Sequence, residues 1–463
     1  MRGSSYLFTI LNLFIFVLSF FLKDPAPLVY ASIILCIFMV LDKLGKGVVL
    51  REIIALFNSF IYLFMPLMGY MFFTKANSKA LSFVRYMPVP KDEYFTLALP
   101  AITGFILFLC WPLSQKNGDE GKSIMRTIEE AKKSLTGNHK IGFWMMGIGV
   151  VASFLSGFLP ENLQYPFQLL YLISFAGLMY VYFSGNSPVN NVYIGIFVLF
   201  ILVNTLRTGM FTIVAYMGMT VFSFLFLNRR VALWKKFIYF FLGIFMVIII
   251  QAVKPEYRKQ TVVRGYENEL TKFSYLVGKK LEDIDKFLTP DFMWPIYYRA
   301  NQGFYVAMVQ NYIPRVKPHD NGNKLGVVFL SAFIPRFIWP DKPKAGGYEN
   351  MKYYAGFTLR GYTMNVGPLG EAYGSFGKTG AIIYIVLLGF LIRLAYRQVF
   401  VISNRIPLFV FWLPVLFFEV SYSGENDTLQ IVNSLVKSGI FVYLVYRIYP
   451  RLFKMVRRTV IRF

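Results

Sequence analysis

The sequence predicts an all-α polytopic membrane protein of about 12 transmembrane helices, with one large extracytoplasmic segment and both termini in the cytoplasm. Three observations predict this. Hydrophobic residues make up 56% of the 463 and charged residues only 16%, which excludes a soluble multidomain enzyme and a disordered chain. Apolar runs of roughly the ~20 residues that cross a hydrocarbon core recur along the chain. Lys and Arg are distributed unevenly between alternate loops.

The runs fall at about 6–22, 27–41, 53–73, 94–113, 141–159, 165–183, 192–206, 209–227, 237–253, 379–392, 404–420 and 431–449. The first is followed by Lys23-Asp24-Pro25 with no small-residue cleavage site, so it reads as a retained span rather than a signal peptide. With the N-terminus inside, both termini and the loops near 42–52, 115–140, 228–236 and 393–405 carry 23 Lys and Arg, against six in the short outer loops. The formal net charge of +24 thus belongs mainly to inner loops and to a basic tail on anionic lipid, and does not point to nucleic acid. Cys36 and Cys110 both lie in predicted spans, so neither a disulfide framework nor a thiolate metal site is indicated.

This topology divides the chain into residues 1–253 (nine helices), an outer segment 254–378, and residues 379–463 (three helices and the tail). The outer segment holds 18 Lys and Arg against 11 Asp and Glu; long loops escape positive-inside selection, so topology does not explain the excess. Within it, residues 292–312 read as a surface-lying aromatic helix, and 324–338 as an apolar stretch too short to span that dips in and returns. The stretch IPRFIWPDKPKAGGYE is stiffened by Pro335, Pro340 and Pro343 and carries Arg336 and Lys342.

Charges mark the chemistry. Arg207 lies between two apolar runs, where a charge is costly, and is either a snorkelling turn marker or an anion ligand. Lys254 and Arg258 leave the ninth span together, as interfacial anchors or as ligands, and Arg336, Lys342 and Arg360 add cations on the same side. Guanidinium forks match phosphate oxygens, so these groups suit an amphiphile with a phosphate or pyrophosphate head, and no metal is required. Glu371, Glu425 and Asp427 are the candidate acid/base groups; a carboxylate beside a sugar hydroxyl can take its proton as the hydroxyl attacks an anomeric carbon. Their simpler roles are a helix N-terminal acid for Glu371 and a solvated turn for the other two. His139 and His319 are poorly placed, Asp283 and Asp285 read as a charged helix face, and Asp24 alone in its loop carries little. Nucleotide-binding, metalloprotease and serine-hydrolase motifs are missing from the sequence.

Arg207 between two spans, QAVKPEYR, IPRFIWPDKP and VGPLGEAYGSFGKTG follow one another across roughly residues 190–430. In that order they resemble the O-antigen polymerase (Wzy-type) family of oligosaccharide repeat-unit polymerases. The resemblance implies transfer of a growing glycan from undecaprenyl pyrophosphate onto a new lipid-linked repeat unit, at the periplasmic face of a bacterial inner membrane, with no cofactor. It implies pyrophosphate binding by Arg207 and Arg336 with Lys254, Arg258 and Lys342 nearby, and Glu371, or alternatively Glu425, as acid/base. The implied partners are the lipid-linked oligosaccharide, membrane lipids and a chain-length regulator. A flippase for the lipid-linked unit and an O-antigen ligase are the alternatives; His319 lacks the motif context of the ligases' periplasmic histidine.

Overall fold

A computed structural model describes residues 2–74, 77–185, 187–208, 220–227, 232–238, 240–243, 269–282, 289–334, 338–359 and 364–453, with a few further positions between. Among these residues the chain is helical, with isolated β-bridges at Leu44–Gly47 and Gly47–Glu120 and no named strand. Eight helices are long and apolar enough to cross a membrane, the architecture of a polytopic membrane protein. They cover 26–43, 50–72, 91–109, 139–158, 163–183, 188–205, 367–403 and 428–448. Two shorter apolar helices, at 4–18 and 407–421, match the first and eleventh predicted runs. The predicted runs 209–227 and 237–253 lie only in part within the described residues.

In chain order the first helices are α1 (Arg2–Leu18), α2 (Ala26–Lys43), α3 (Leu50–Phe72, with a π-helical turn at Phe60–Phe64), α4 (Ala80–Tyr86) and α5 (Lys91–Leu109). An amphipathic α6 (Gly121–Leu135) precedes α7 (His139–Leu155), α8 (Glu161–Phe183) and α9 (Pro188–Thr208). Where lipid removes the usual hydrophobic drive, helices associate through small residues that let backbones approach. A Cβ on Gly142 would lie 2.7 Å from the Gly177 carbonyl oxygen, and one on Gly177 equally close to that of Gly142, so α7 and α8 meet backbone to backbone.

The segment predicted as outer loop is largely helical where described: α10 (Glu269–Glu282), α11 (Pro290–Ala300), α12 (Gly303–Tyr312), α13 (Asn323–Phe333) and α14 (Gly347–Ala355). The expected surface helix over 292–312 is two helices, and the second is not superficial. Phe304, Val306, Ala307 and Val309 of α12 are fully buried, because Gly303 lets the chain pass against Tyr94 and Pro66. The stretch expected to dip and return holds helix α13, packed along the last span through Val328 and Ala332 against Leu429 and Val432, and the chain comes back to the tip of that span, where Gly346 N–H meets Asp427.

The helix that carries the predicted tenth span begins earlier than the apolar run does. Helix α15 runs from Gly367 to Ser403, and its interior is broken at Gly377, with φ 70° and ψ −169°. The apolar periodicity after Gly377 marks the span; the ten residues before it continue the helix in a new direction and carry Glu371. A 3₁₀ turn (Pro407–Trp412) leads into α16 (Leu413–Ser421), and α17 (Thr428–Ile448) closes the bundle.

Helix ends gather in two groups. Gly121 N–H donates to Lys46 O at 3.3 Å, Asn404 Nδ2 to Lys116 O at 3.0 Å, and Lys236 Nζ to Leu41 O and Leu44 O at 2.8 and 2.6 Å. The four loops expected on the inner side therefore meet at the end that carries the N-terminus. At the far end Lys91 pairs with Asp24 at 2.8 Å, Gln310 Nε2 donates to Glu93 O at 3.2 Å, and Tyr62 Oη donates to Gly424 O at 2.8 Å.

Candidate functional site

The far end is organised around the N-terminus of α17. Asp427 is its N-cap, accepting from Gln430 N–H at 2.6 Å while the Gln430 side chain accepts from Asp427 N–H at 3.0 Å, a reciprocal capping box. The second Asp427 oxygen accepts from Gly346 N–H at 2.7 Å, tying the turn after Pro343 to this point. Burial raises the Asp427 pKa above the ordinary carboxylate value, opposed by these backbone donors.

Glu371, 2% exposed, reaches the same helix end from α15. One oxygen accepts from Thr428 N–H at 3.0 Å and the other from Asn350 Nδ2 of α14 at 2.6 Å. The helix N-terminus favours an anion, so the expectation of a dipole-stabilised acid holds, although the helix concerned is α17 rather than its own. Glu371 is not a wall of the neighbouring pocket; Asn350 is. This pocket, of about 340 Å³, is lined by Lys324, Lys344, Glu349, Asn350, Tyr353 and Leu429 among others. Glu371 therefore stands one side chain behind it, orienting the Asn350 amide, which keeps a second N–H and its carbonyl oxygen for a guest.

Lys324, at the start of α13, lies 4.2 Å from the Tyr353 ring centroid and within the fields of Glu349, Glu371, Asp320 and Asp427. Burial lowers its pKa and the four carboxylates pull it back up. A cation, an exposed carboxylate and an amide round one small cavity can bind a hydroxylated, anionic guest and orient a hydroxyl.

A second basic group sits at the other end of α13. Lys342 Nζ donates to Ser331 O and Ile334 O, both at 2.6 Å, capping the last carbonyls of α13. Burial lowers the pKa of this ammonium, and the neighbouring Arg336 charge lowers it further. Arg336 is exposed and donates to Pro340 O at 3.1 Å. Lys437, on α17, lies within electrostatic range of both and stands 5.0 Å from the Tyr165 ring centroid. Eight residues of α17 separate Leu429 in the pocket wall from Lys437, a rise of about 12 Å.

Of the sequence-predicted residues, Glu371 and the Glu425 turn come together: Asn365 Nδ2 donates to Glu425 O at 2.9 Å and to Gln430 Oε1 at 2.8 Å. The Glu425 side chain is exposed, whereas Asp427, expected in a solvated turn, is fully buried. Arg336 and Lys342 form the separate group just described. Arg207 falls in the last turn of α9, its side chain outside the described residues, as are Lys254, Arg258, Arg360, Asp283 and Asp285. Asp24 pairs with Lys91, and His319 sits beside the Gly377 break with Nδ1 3.3 Å from Gly374 O.

Sequence reasoning missed Lys324, Glu349, Asn350 and Lys437. Lys437 had a signal: it lies inside the last predicted span, and the rule that singles out Arg207 applies to it equally. Asn350 had none, since its role depends on where α14 folds. Among the described residues no group of three or more His, Cys, Asp or Glu is arranged to hold a metal ion. No protein-family model, curated protein or solved structure matches the chain.

Proposed function

We propose that this chain is a membrane-embedded glycosyltransferase that polymerises undecaprenyl-pyrophosphate-linked repeat units into a surface polysaccharide. In this reading it has about twelve spans and lies in the bacterial inner membrane, with its far end outward. The observation that carries the proposal is the pair of basic groups at opposite ends of α13, Lys324 with Lys344 and Arg336 with Lys342 and Lys437. A polymerase binds two pyrophosphate-bearing substrates at once, a donor and an acceptor, and the acceptor's reacting sugar is several residues away from its own pyrophosphate. Two anion sites separated by about 12 Å of helix suit that arrangement. A flippase or a ligase needs only one. The upper pocket would take the reacting ends, with Asn350, held by Glu371, and Glu349 directed at the attacking hydroxyl. The lower group would hold the second pyrophosphate at lipid depth, where Arg336 offers a fork to its oxygens.

The test is the gel profile of surface and lipid-linked glycans from a host lacking the gene, complemented with wild type, Arg336→Ala or Lys324→Ala. Arg336 is exposed and, among the described residues, holds a local carbonyl bond to Pro340, so its removal should leave the fold intact. The expected result is a ladder with wild type and single repeats with either variant. A normal ladder from both variants defeats the proposal. Full-length polymer stranded on its carrier in the host lacking the gene identifies a ligase, and single repeats trapped on the cytoplasmic leaflet identify a flippase.

A further inference from the structure

The other end of the molecule holds a larger cavity, of about 1130 Å³, between the N-terminus of α1, the C-terminus of α2, the loop after α5 and helix α6. Its inner wall is a buried charge network. Lys43 Nζ lies 3.0 Å from Glu52 Oε1, 2.6 Å from Asp119 Oδ2 and 3.5 Å from Glu120 Oε1. Arg51 reaches Asp119 at 3.4 Å, and Tyr396 Oη donates to Asp119 Oδ2 at 2.6 Å. Both Asp119 oxygens thereby have a donor.

The same does not hold for Glu52. It is 5% exposed and lines the cavity, yet its Oε2 has no hydrogen-bond partner. In the ion pairs of this network two cations, Lys43 and Arg51, face three carboxylates, Glu52, Asp119 and Glu120. A buried carboxylate oxygen without a donor is expensive, and a cationic donor would complete it. Charge changes sign toward the mouth. Lys116, Lys122 and Arg126 are exposed along the rim and Lys46 is half-buried. Lys46 is paired with Asp42 and Arg126 with Glu130, while Lys116 and Lys122 form no ion pair among the described residues. An acceptor lies deep and cations lie outside, and serine and threonine hydroxyls of α1 line the space between.

We propose that this cavity binds a zwitterionic aminoethyl phosphate, its primary ammonium donating to Glu52 Oε2 and its phosphate held by Lys116 and Lys122. The primary amine is specified because an ammonium supplies N–H donors that a quaternary nitrogen lacks. The group can arrive as a phospholipid head or as free phosphoethanolamine. It is independent of the polymerase proposal, since it lies at the opposite end of the bundle.

Purified protein in detergent would be titrated calorimetrically with phosphoethanolamine and with phosphocholine, and its melting compared in nanodiscs of phosphatidylethanolamine or phosphatidylcholine. Phosphoethanolamine should bind at least about tenfold more tightly than phosphocholine, the loss expected when a hydrogen bond to a charged group is removed. Glu52→Gln should weaken it by a similar factor, and Lys122→Ala should weaken it too. Should Glu52→Gln fail to fold, the choline comparison on wild type and the exposed Lys122→Ala variant decide. Stabilisation by phosphatidylethanolamine nanodiscs without binding of the free compound assigns the lipid source; binding of the free compound without a lipid effect assigns the solute. No discrimination between ethanolamine and choline heads in either format overturns the proposal.

Discussion

Replacing Lys342 by Met separates two roles that one residue could hold. The ammonium makes two bonds of 2.6 Å to the last carbonyls of α13, and hydrogen bonds to a charged group contribute roughly 1.5–3 kcal/mol each. Their sum, roughly 3–6 kcal/mol, is an upper bound. Lys342 is buried, so its removal also returns part of the desolvation already incurred, and Met keeps the apolar stem packed. A net loss of about 2–3 kcal/mol remains. Lys342→Arg, which keeps a donor and a charge, should lose less. The assay is thermal unfolding in detergent followed by intrinsic fluorescence, run beside the glycan gel. A Lys342→Met protein that melts with wild type refutes the capping argument. If such a protein also fails to extend chains, Lys342 belongs to the substrate rather than to α13.

Other substitutions probe the upper pocket. Glu371→Gln keeps an acceptor for one of its two donors and should cost roughly 1–3 kcal/mol, whereas Glu371→Leu strands both Thr428 N–H and Asn350 Nδ2 and should cost about twice that, read as melting temperature. If Glu371 acts through Asn350, then Asn350→Ala should shorten the glycan ladder as severely as Glu371→Gln while melting nearer to wild type; an unchanged ladder would remove Asn350 from the site. Gly347→Ala drives a methyl into the Met364 carbonyl oxygen, so α14 must move and the expected loss is about 1–3 kcal/mol. Melting of Gly347→Ala at the wild-type temperature would show that α14 has room the packing does not suggest.

Spans and loops were legible in the sequence because their physics is local. An apolar run of sufficient length has to be satisfied within its own helix, and a basic loop resists translocation. That is why the loops near 42–52, 115–140, 228–236 and 393–405 were identifiable as a set, and the contacts of Lys46, Lys116, Lys236 and Asn404 bring them to one end. What was not legible depends on long-range packing. Residues 303–312 have the aromatic, weakly polar character of an interfacial helix, and only the space beside Tyr94 and Pro66 decides that they are buried. Lys342 showed a charge in a stiff turn, but not that its amine points back to Ser331 and Ile334. Glu371 was recognisable as a helix N-terminal acid; that it serves α17, and reaches the pocket only through Asn350, is a property of the assembled fold.

The break at Gly377 has a mechanical consequence. An unbroken helix of 37 residues would be about 55 Å long, far more than a bilayer core needs. The bend divides it into a shaft and a short arm, and the arm bears Glu371. The arm meets the tip of α17, where Glu371 accepts from Thr428 N–H. Only a residue without a side chain adopts that torsion without strain. The joint therefore sets the aim of one carboxylate, and a bulkier residue at 377 would re-aim it from a position outside the pocket itself.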